Sequence, residues 1–495
     1  MLTFRLNIAL LLSFVFAVAS CDLQDALDKQ PHDAVSDDQA LETVDDLERA
    51  TQGNYAIIIS EGGWPIHHEF PRTQHEFGEY SGDNIMLSGS TTDNLWDIHT
   101  YTSASDQGHV QQFWESSYKV IYGANQVLNA DVEAETQEEE ERLDQVMGEN
   151  LFLRAFMHFN LANVYGRPYS HGEENLAVPY INVPGVEVDN PERNTIGEVY
   201  DEIIDDLERS KDLLNAQRPS AYPSREAVDA FLSRLYLYME DNQQAIEYAN
   251  NVINSGRYEL LSTEDFTEFP TWEPEESDET IYAIKQTRDD MHTSIATMYY
   301  TSPGGDGWGE IYASEEYRNL LHEDDVRSEW IQPDLDEDGN IIERNDYPKY
   351  FITKHSYQNG NPLVSSPVQW RLAEMYLNRA EANAKLGNDQ DAIDDVNLIR
   401  ERAGLDDQLY EVGDLGDHDT VLNVVLEERR LELAFEAQRY YDLVRNNRPV
   451  ERDFPGVHRD VADATVIEPD DYRHAQPLPE TELELNPNLQ QNDGY

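Results

Sequence analysis

The feature that most constrains this chain is a helical stripe that occurs twice, each time in a pair. From Ser224 to Ser255 a first run places Ala227, Phe231, Leu235 and Tyr238 on one face. Asp241-Asn242 breaks it, and a second run carries Ala245, Ala249 and Val252. From Ser366 to Ala403 the arrangement returns as Ala373, Leu377, Ala380 and Ala384, a break at Gly387-Asn388, then Ala392, Val396, Ile399 and Ala403. Apolar residues three and four positions apart line one side of a helix, and that side must be covered by another element. Ser233 and Ala380 stand twelve positions before Ala245 and Ala392, and such small side chains let two antiparallel helices approach closely. Further periodic runs predict a pair combining 109–130 with 140–165 and a helix over 195–215 before Ser224. A last long helix over 419–446 would close the stack. The expected fold is mainly α, about four helical pairs (around 109–165, 195–255 and 366–403) with little β.

Other segments lack the helical period. Residues 257–365 mix Gly, Pro, Asp and aromatics, with 281–287 alternating like a strand, and 50–108 and 447–495 are also irregular. Long irregular stretches in a folded protein are usually functional surface. The reading is one continuous domain over 41–495, with ligand-facing loops at 50–108 and 257–365. The helical pairs resemble tetratricopeptide hairpins, which stack to bury a shared core.

Charge narrows the partners. The chain has 99 acidic against 35 basic residues, a net of −64. Such a polyanion repels phosphate backbones, which argues against nucleic acid, and repels anionic lipid surfaces. Aromatics at 10% nevertheless indicate a folded core. Abundant carboxylate with 28 Arg and only 7 Lys resembles proteins of salt-loving organisms. At about 1 M salt the Debye length of ~3 Å screens most of the self-repulsion.

Residues 1–20 read as a targeting segment: Arg5, then an apolar run from Leu6 to Ala19. Val18-Ala19-Ser20-Cys21 resembles a bacterial lipobox, after which Cys21 would become the lipidated N-terminus. Cys21 is the sole cysteine, so no internal disulfide can form. No later stretch approaches the ~18 apolar residues of a membrane span, leaving lipid as the only membrane attachment. Residues 21–40 read as an acidic tether.

Four segments carry a more specific signal: GENLFLRAFMHFNLANVYG at 148–166, QWRLAEMYLNRAEA at 369–382, LEERRLELAFEAQRYYDLVR at 426–445 and PLPETELELNPNLQQNDGY at 477–495. Together with the lipobox they resemble the SusD/RagB family of outer-membrane nutrient-binding lipoproteins. The chain departs from the family's usual residues at Ala437 (often Gly), Tyr440 (often Trp) and Asp493 (usually Pro). The resemblance implies an α-helical lid over a TonB-dependent, SusC-like transporter barrel, facing the cell exterior. It would capture a nutrient, mainly glycan and in some members peptide, without transforming it. The residues themselves also allow local readings. Arg154 would pair with a carboxylate or helix end. Glu428, Glu432 and Glu436 would form a salt-bridge lattice, with Arg429 and Arg439 three positions from Glu432 and Glu436. The terminal NPNLQQNDGY would pack as an irregular tail.

Sugars offer apolar C–H faces and rims of hydroxyls, so their sites need flat aromatics beside amides or carboxylates. Two regions supply both. One holds Asp83-Asn84 and Asp93-Asn94-Leu95-Trp96; the other runs from Tyr299-Tyr300 through Gly304-Gly305-Asp306-Gly307-Trp308. Trp64 in EGGWP is a third candidate, whereas Trp114 and Trp370 lie on amphipathic faces and read as core. The set expected to touch ligand is therefore Asp83, Asn94, Trp96, Tyr300, Trp308 and Trp64.

No cofactor is required by this reading. Asp334, Asp336, Asp338 and Gly339 match the start of a calcium loop, but Asn345 occupies the place of the closing Glu. The same residues read as an acidic hairpin turned at Asp338-Gly339. His67, His68 and His75 lack the spacing of a metal site, and neither a P-loop lysine nor a G-x-S-x-G elbow occurs. The main expectation is a non-catalytic binding protein. Two alternatives stand beside it: a tetratricopeptide-type protein-interaction scaffold, and a glycoside hydrolase using two of the many carboxylates.

Overall fold

Polar caps decide where half of the main helices begin. Thr136, Thr195, Ser224, Asp241 and Thr420 each accept a hydrogen bond from the backbone N–H three positions on. Thr195 and Glu198 complete a reciprocal capping box. Each such cap is worth about 1 kcal/mol. The computed structural model describes residues 41–59, 70–89, 95–184, 190–215, 217–288, 295–299 and 309–495. Its long helices are α1 Val44–Ile59, α2 Gly108–Leu128, α3 Gln137–Tyr165, α4 Ile196–Leu213, α5 Arg225–Tyr238, α6 Asn242–Ile253, α7 Leu372–Leu386, α8 Asp389–Arg402, α9 Val421–Glu432 and α10 Arg439–Arg445.

Each helix from α1 to α8 packs on its successor, so the helical pairs merge into one stack. The expected close approach is present. Ser233 Oγ donates to the Ala245 carbonyl at 3.1 Å, and Ala380 packs fully buried against Ala392. Where α1 crosses α2, a Cβ on Gly123 would stand 2.0 Å from Asn54 Oδ1, so only glycine fits there. The centre is an aromatic lock. Phe231 and Trp370 rings lie 4.9 Å apart, Phe152 and Tyr282 5.2 Å, and all four are sealed from water. Burying each such ring contributes on the order of 1.5–3 kcal/mol. Arg234 lies 4.6 Å over the Trp370 ring and grips Glu374 with both Nε (2.7 Å) and Nη2 (2.6 Å). Trp114 is buried as expected.

Among the described residues β structure is confined to five short two-stranded ladders. The strands needed below are β1 Ile85–Leu87, β2 Thr280–Ala283, β3 Ile311–Ala313, β4 Ile331–Pro333, β5 Tyr350–Ile352 and β6 Val368–Arg371. β1 pairs with β3, β2 with β6 and β4 with β5, all antiparallel. The alternating segment 281–287 thus becomes a strand over its first half.

Three expectations are corrected. First, 50–108 is not irregular throughout: α1 continues to Ile59. Its buried face includes Thr51 and Asn54, which bond Asn150 through Asn150 Nδ2 to Thr51 Oγ1 (2.7 Å) and Asn54 Nδ2 to Asn150 Oδ1 (2.8 Å). Polar residues on the inward face hid the stripe. Second, 419–446 is two helices. The chain turns at Leu433–Gln438, where Phe435 (φ 65°) and Ala437 (φ 59°) are left-handed. The carbonyls released by the break are claimed: Arg371 Nη2 reaches Glu432 O at 2.8 Å, and Lys354 Nζ reaches Ala434 O at 3.0 Å.

Third, the carboxylate lattice exists but draws its cations from other elements. Glu428 meets Arg327 (2.7 Å) and Arg400 (3.0 Å); Glu432 meets Arg371 (2.5 Å) and Arg402; Glu436 meets Arg371 (2.8 Å) and Lys354 (2.5 Å). Arg429, still in one helix with Glu432, turns instead to Asp442 (3.1 Å), and Arg439, which the helix break takes out of register with Glu436, turns to Asp83 (2.6 Å). Arg154 does hold a carboxylate, Asp206, at 2.7 and 2.5 Å. The irregular tail is tied down by Asn492 Nδ2, which donates to Tyr165 O (2.9 Å) and Gln476 O (2.7 Å).

Candidate functional site

The β1–β3 ladder joins two regions that the sequence separates by more than two hundred residues. Ile85 faces Ala313 and Leu87 faces Ile311. Beyond the strands, Ser88 N donates to Glu310 O at 3.2 Å, and Ser314 N donates to Asn84 O at 2.8 Å. The segment leading to Trp96 and the segment carrying Trp308 therefore leave from the same end of one ladder. The β4–β5 hairpin lies alongside. Tyr312 and Phe351 rings are 5.7 Å apart, Asn345 Nδ2 donates to Ser88 O at 2.7 Å, and Arg344 pairs with Glu310. A Cβ on Gly89 would come within 2.9 Å of Asn345 Nδ2, so the glycine lets the hairpin close in.

Trp96 sits in the first turn of the short helix Leu95–Thr100, half-buried, with part of its ring against the main core. Thr100 Oγ1 donates to its carbonyl at 2.6 Å. Asp83 is not at a ligand surface. It is 3% exposed, and Arg439 holds both its oxygens from Nε (2.6 Å) and Nη2 (2.7 Å). Burial opposes its charge, but Arg430 and Arg439 prevail and hold the carboxyl down at about 2. Its neighbour Asn84 is spent in the same way, accepting from Arg430 Nε at 2.8 Å. Tyr299 is buried too, its hydroxyl 2.5 Å from His75 Nε2. Cys21, Trp64, Asn94, Tyr300 and Trp308 lie outside the described residues.

One titratable pair escaped the sequence reading. Burial pushes Glu79 up to about 8, four positions before Asp83 at about 2. Separated in this way, two carboxyls can serve as acid and nucleophile. Here both are closed off from solvent: Glu79 accepts from Asn84 Nδ2 (3.3 Å) and Ala437 N (3.2 Å) and is wholly buried. No sequence pattern marks the pair, because Ala437, Arg430 and Arg439, which enclose it, lie more than three hundred residues away.

The acidic hairpin takes the turn reading. Asp336 Oδ1 accepts from Asp338 N (2.9 Å) and Asn340 N (2.8 Å), and Gly339 supplies φ 82°. Asp334 pairs with Lys349 at 2.9 Å. Asp334, Asp336 and Asp338 do not converge, and no group of three or more His, Cys, Asp or Glu among the described residues could hold a metal ion.

No helix among the described residues is long and apolar enough to cross a membrane. Against known proteins, the family model described as "Starch-binding associating with outer membrane" matches residues 29–237, and that of the "SusD family" matches 258–495. A SusD-like protein of Formosa agariphila is 26% identical, spanning 95% of this chain and 96% of its own length. A SusD superfamily protein from Bacteroides thetaiotaomicron superposes with a TM-score of 0.82 at 26% identity, over 91% of this chain and 99% of that one. A putative sugar binding protein from Bacteroides vulgatus gives 0.79 at 26% identity, over 92% and 99%. Two successive family matches, a helical stack of the same architecture and relatives aligned end to end lead to one assignment: the chain belongs to the SusD/RagB family.

Proposed function

We propose that this protein captures an extracellular glycan and passes it to a TonB-dependent, SusC-like outer-membrane barrel, itself tethered through a lipidated Cys21. The observation that carries the reading is the β1–β3 ladder. It gives two loop regions rich in aromatics and amides a common origin, on a scaffold shared with proteins named for sugar or carbohydrate binding. A half-open indole such as Trp96 can stack on a pyranose C–H face while neighbouring amides take the hydroxyls. Delivery requires the loaded lid to prefer the closed position over the barrel, a two-state domain motion. The cationic side chains near the ladder are already engaged, which favours neutral over anionic glycans.

The test is an array of neutral glycans, anionic glycans and peptides probed with the mature chain, followed by calorimetry on the retained ligand. Trp96→Ala should weaken binding about five- to thirtyfold, as loss of a stacking platform costs about 1–2 kcal/mol. Unchanged affinity would remove Trp96 from the site, and release of reducing sugar would point to hydrolysis instead. An outer-membrane barrel co-purifying from the native membrane supports the delivery step; a soluble partner alone would favour an interaction scaffold.

A further inference from the structure

Where α3, α5 and α10 meet β6 the structure leaves a cavity of about 30 Å³. That is room for water or a small ion, far short of the about 300–1,000 Å³ of a small-molecule site. Its wall holds donors that have no acceptor. Arg234 spends Nε and Nη2 on Glu374, at 2.7 and 2.6 Å, so Nη1 has no partner among the described residues. Gln369 Oε1 accepts from Gln74 Nε2 at 3.0 Å, which fixes the amide and leaves its Nε2 free to donate. The hydroxyls of Tyr238 and Tyr441 bond nothing among the described residues, and their rings stand 6.4 Å apart. Of the unbonded side-chain polar atoms in this wall only Gln438 Oε1 is cut off from water, so the four donors are within reach of an occupant.

The acceptors in the same wall are mostly taken. Asn160 Oδ1 receives Gln74 Nε2 at 2.8 Å, and Asn163 Oδ1 receives the Tyr200 hydroxyl at 2.9 Å. Glu436 is the one carboxylate in the wall, and two cations hold it, Arg371 at 2.8 Å and Lys354 at 2.5 Å. A water here would accept well and donate poorly, and a metal ion or ammonium would face donors only. An anion accepts from every side, and its bond to a guanidinium is charge-assisted. The local charges tolerate it. Arg234 is balanced by Glu374, and burial keeps the rings of His75 and His355 neutral.

We infer that this cavity is a site for a small monovalent anion such as chloride, held by Arg234 Nη1, Gln369 Nε2 and the hydroxyls of Tyr238 and Tyr441. The ion would tie α5 to α10 and give the chain a specific need for halide, separate from the general screening of its surface charge. The site does not depend on the glycan reading.

Melting temperatures of the mature chain in sodium chloride, bromide and methanesulfonate at equal ionic strength test the assignment, because screening is then the same in all three. Chloride and bromide should raise the midpoint by about 2 °C over methanesulfonate, since an ion that binds only the native state stabilises it. Tyr441→Phe and Tyr238→Phe each remove a hydroxyl that bonds no described protein group, so both variants should fold, and both should lose most of the halide difference. Crystals soaked in sodium bromide should show an anomalous peak within hydrogen-bond distance of Arg234 Nη1. The proposal fails if the three salts stabilise equally, if both variants keep the halide difference of the parent, or if the cavity holds only water in the bromide crystals.

Discussion

Ala437 shows how one residue can carry both the fold and a cost. Its φ of 59° puts a Cβ where the left-handed conformation crowds it, at about 1–2 kcal/mol for an L-residue. Its carbonyl oxygen lies only 2.2 Å from where a Cβ on Gly78 would sit, so the two positions constrain each other. Ala437→Gly should therefore raise stability by up to about 1 kcal/mol in urea denaturation, and Gly78→Ala should lower it. Titratable residues set the pH response. Burial lowers His109, His355, His458 and His474 to about 4 and His158 to about 3, against an ordinary 6.5. Between pH 6.5 and 4 the unfolded chain binds protons on these rings that the native state refuses, so stability falls on acidification through that window. Glu79 acts in the opposite sense. Its folded value of about 8 exceeds the ordinary 4.5, so its contribution is complete below pH 4.5 and is lost as pH rises through 8. Stability should peak near pH 6.5 and decline toward 8. Glu79→Gln, which keeps the shape without the charge, should abolish the alkaline decline and, because Glu79 opposes the histidines above pH 4.5, steepen the acidic limb slightly.

At the scale of elements, the paired helices were legible because their faces are apolar at a 3.6-residue period, as in Ala227, Phe231, Leu235 and Tyr238. What the pattern could not show falls into two kinds. α1 hides behind inward polar residues, Thr51 and Asn54, whose partner Asn150 is about a hundred positions away. The break at Leu433–Gln438 hides inside a sequence of good helix formers, because tertiary cations claim its carbonyls. Of the candidate face, the sequence marks Trp96, which is half-buried, but cannot show that Asp83 is consumed by Arg439 from the far end of the chain. Arg371 is the clearest case of tertiary control. It stands at the end of β6 and serves Glu279 (2.8 Å), Glu432 (2.5 Å) and Glu436 (2.8 Å). Arg371→Met leaves buried carboxylates without their cation and should cost about 3–5 kcal/mol in denaturant unfolding. A loss under 1 kcal/mol would show that water reaches the lattice.

For the molecule as a whole, the net charge of −64 and the paired interior belong together. Most of the buried Arg and Lys side chains pair with internal carboxylates, so the uncompensated acid lies outside, where salt screens it. The melting temperature should rise steeply with sodium chloride up to about 1 M, and a flat profile would overturn the link between charge and salt requirement. The connection of Asp83 to Arg430 and Arg439 reaches further than electrostatics. Residues 80–82 are also sealed by Arg452, which donates to the backbone carbonyls of Tyr80, Ser81 and Gly82. The two family matches divide between 237 and 258, yet no knife can follow that line: a piece ending there would hold half of each bond. Residues 80–83 cannot be held in place until Arg430, Arg439 and Arg452 have been synthesised, so this part of the fold closes late.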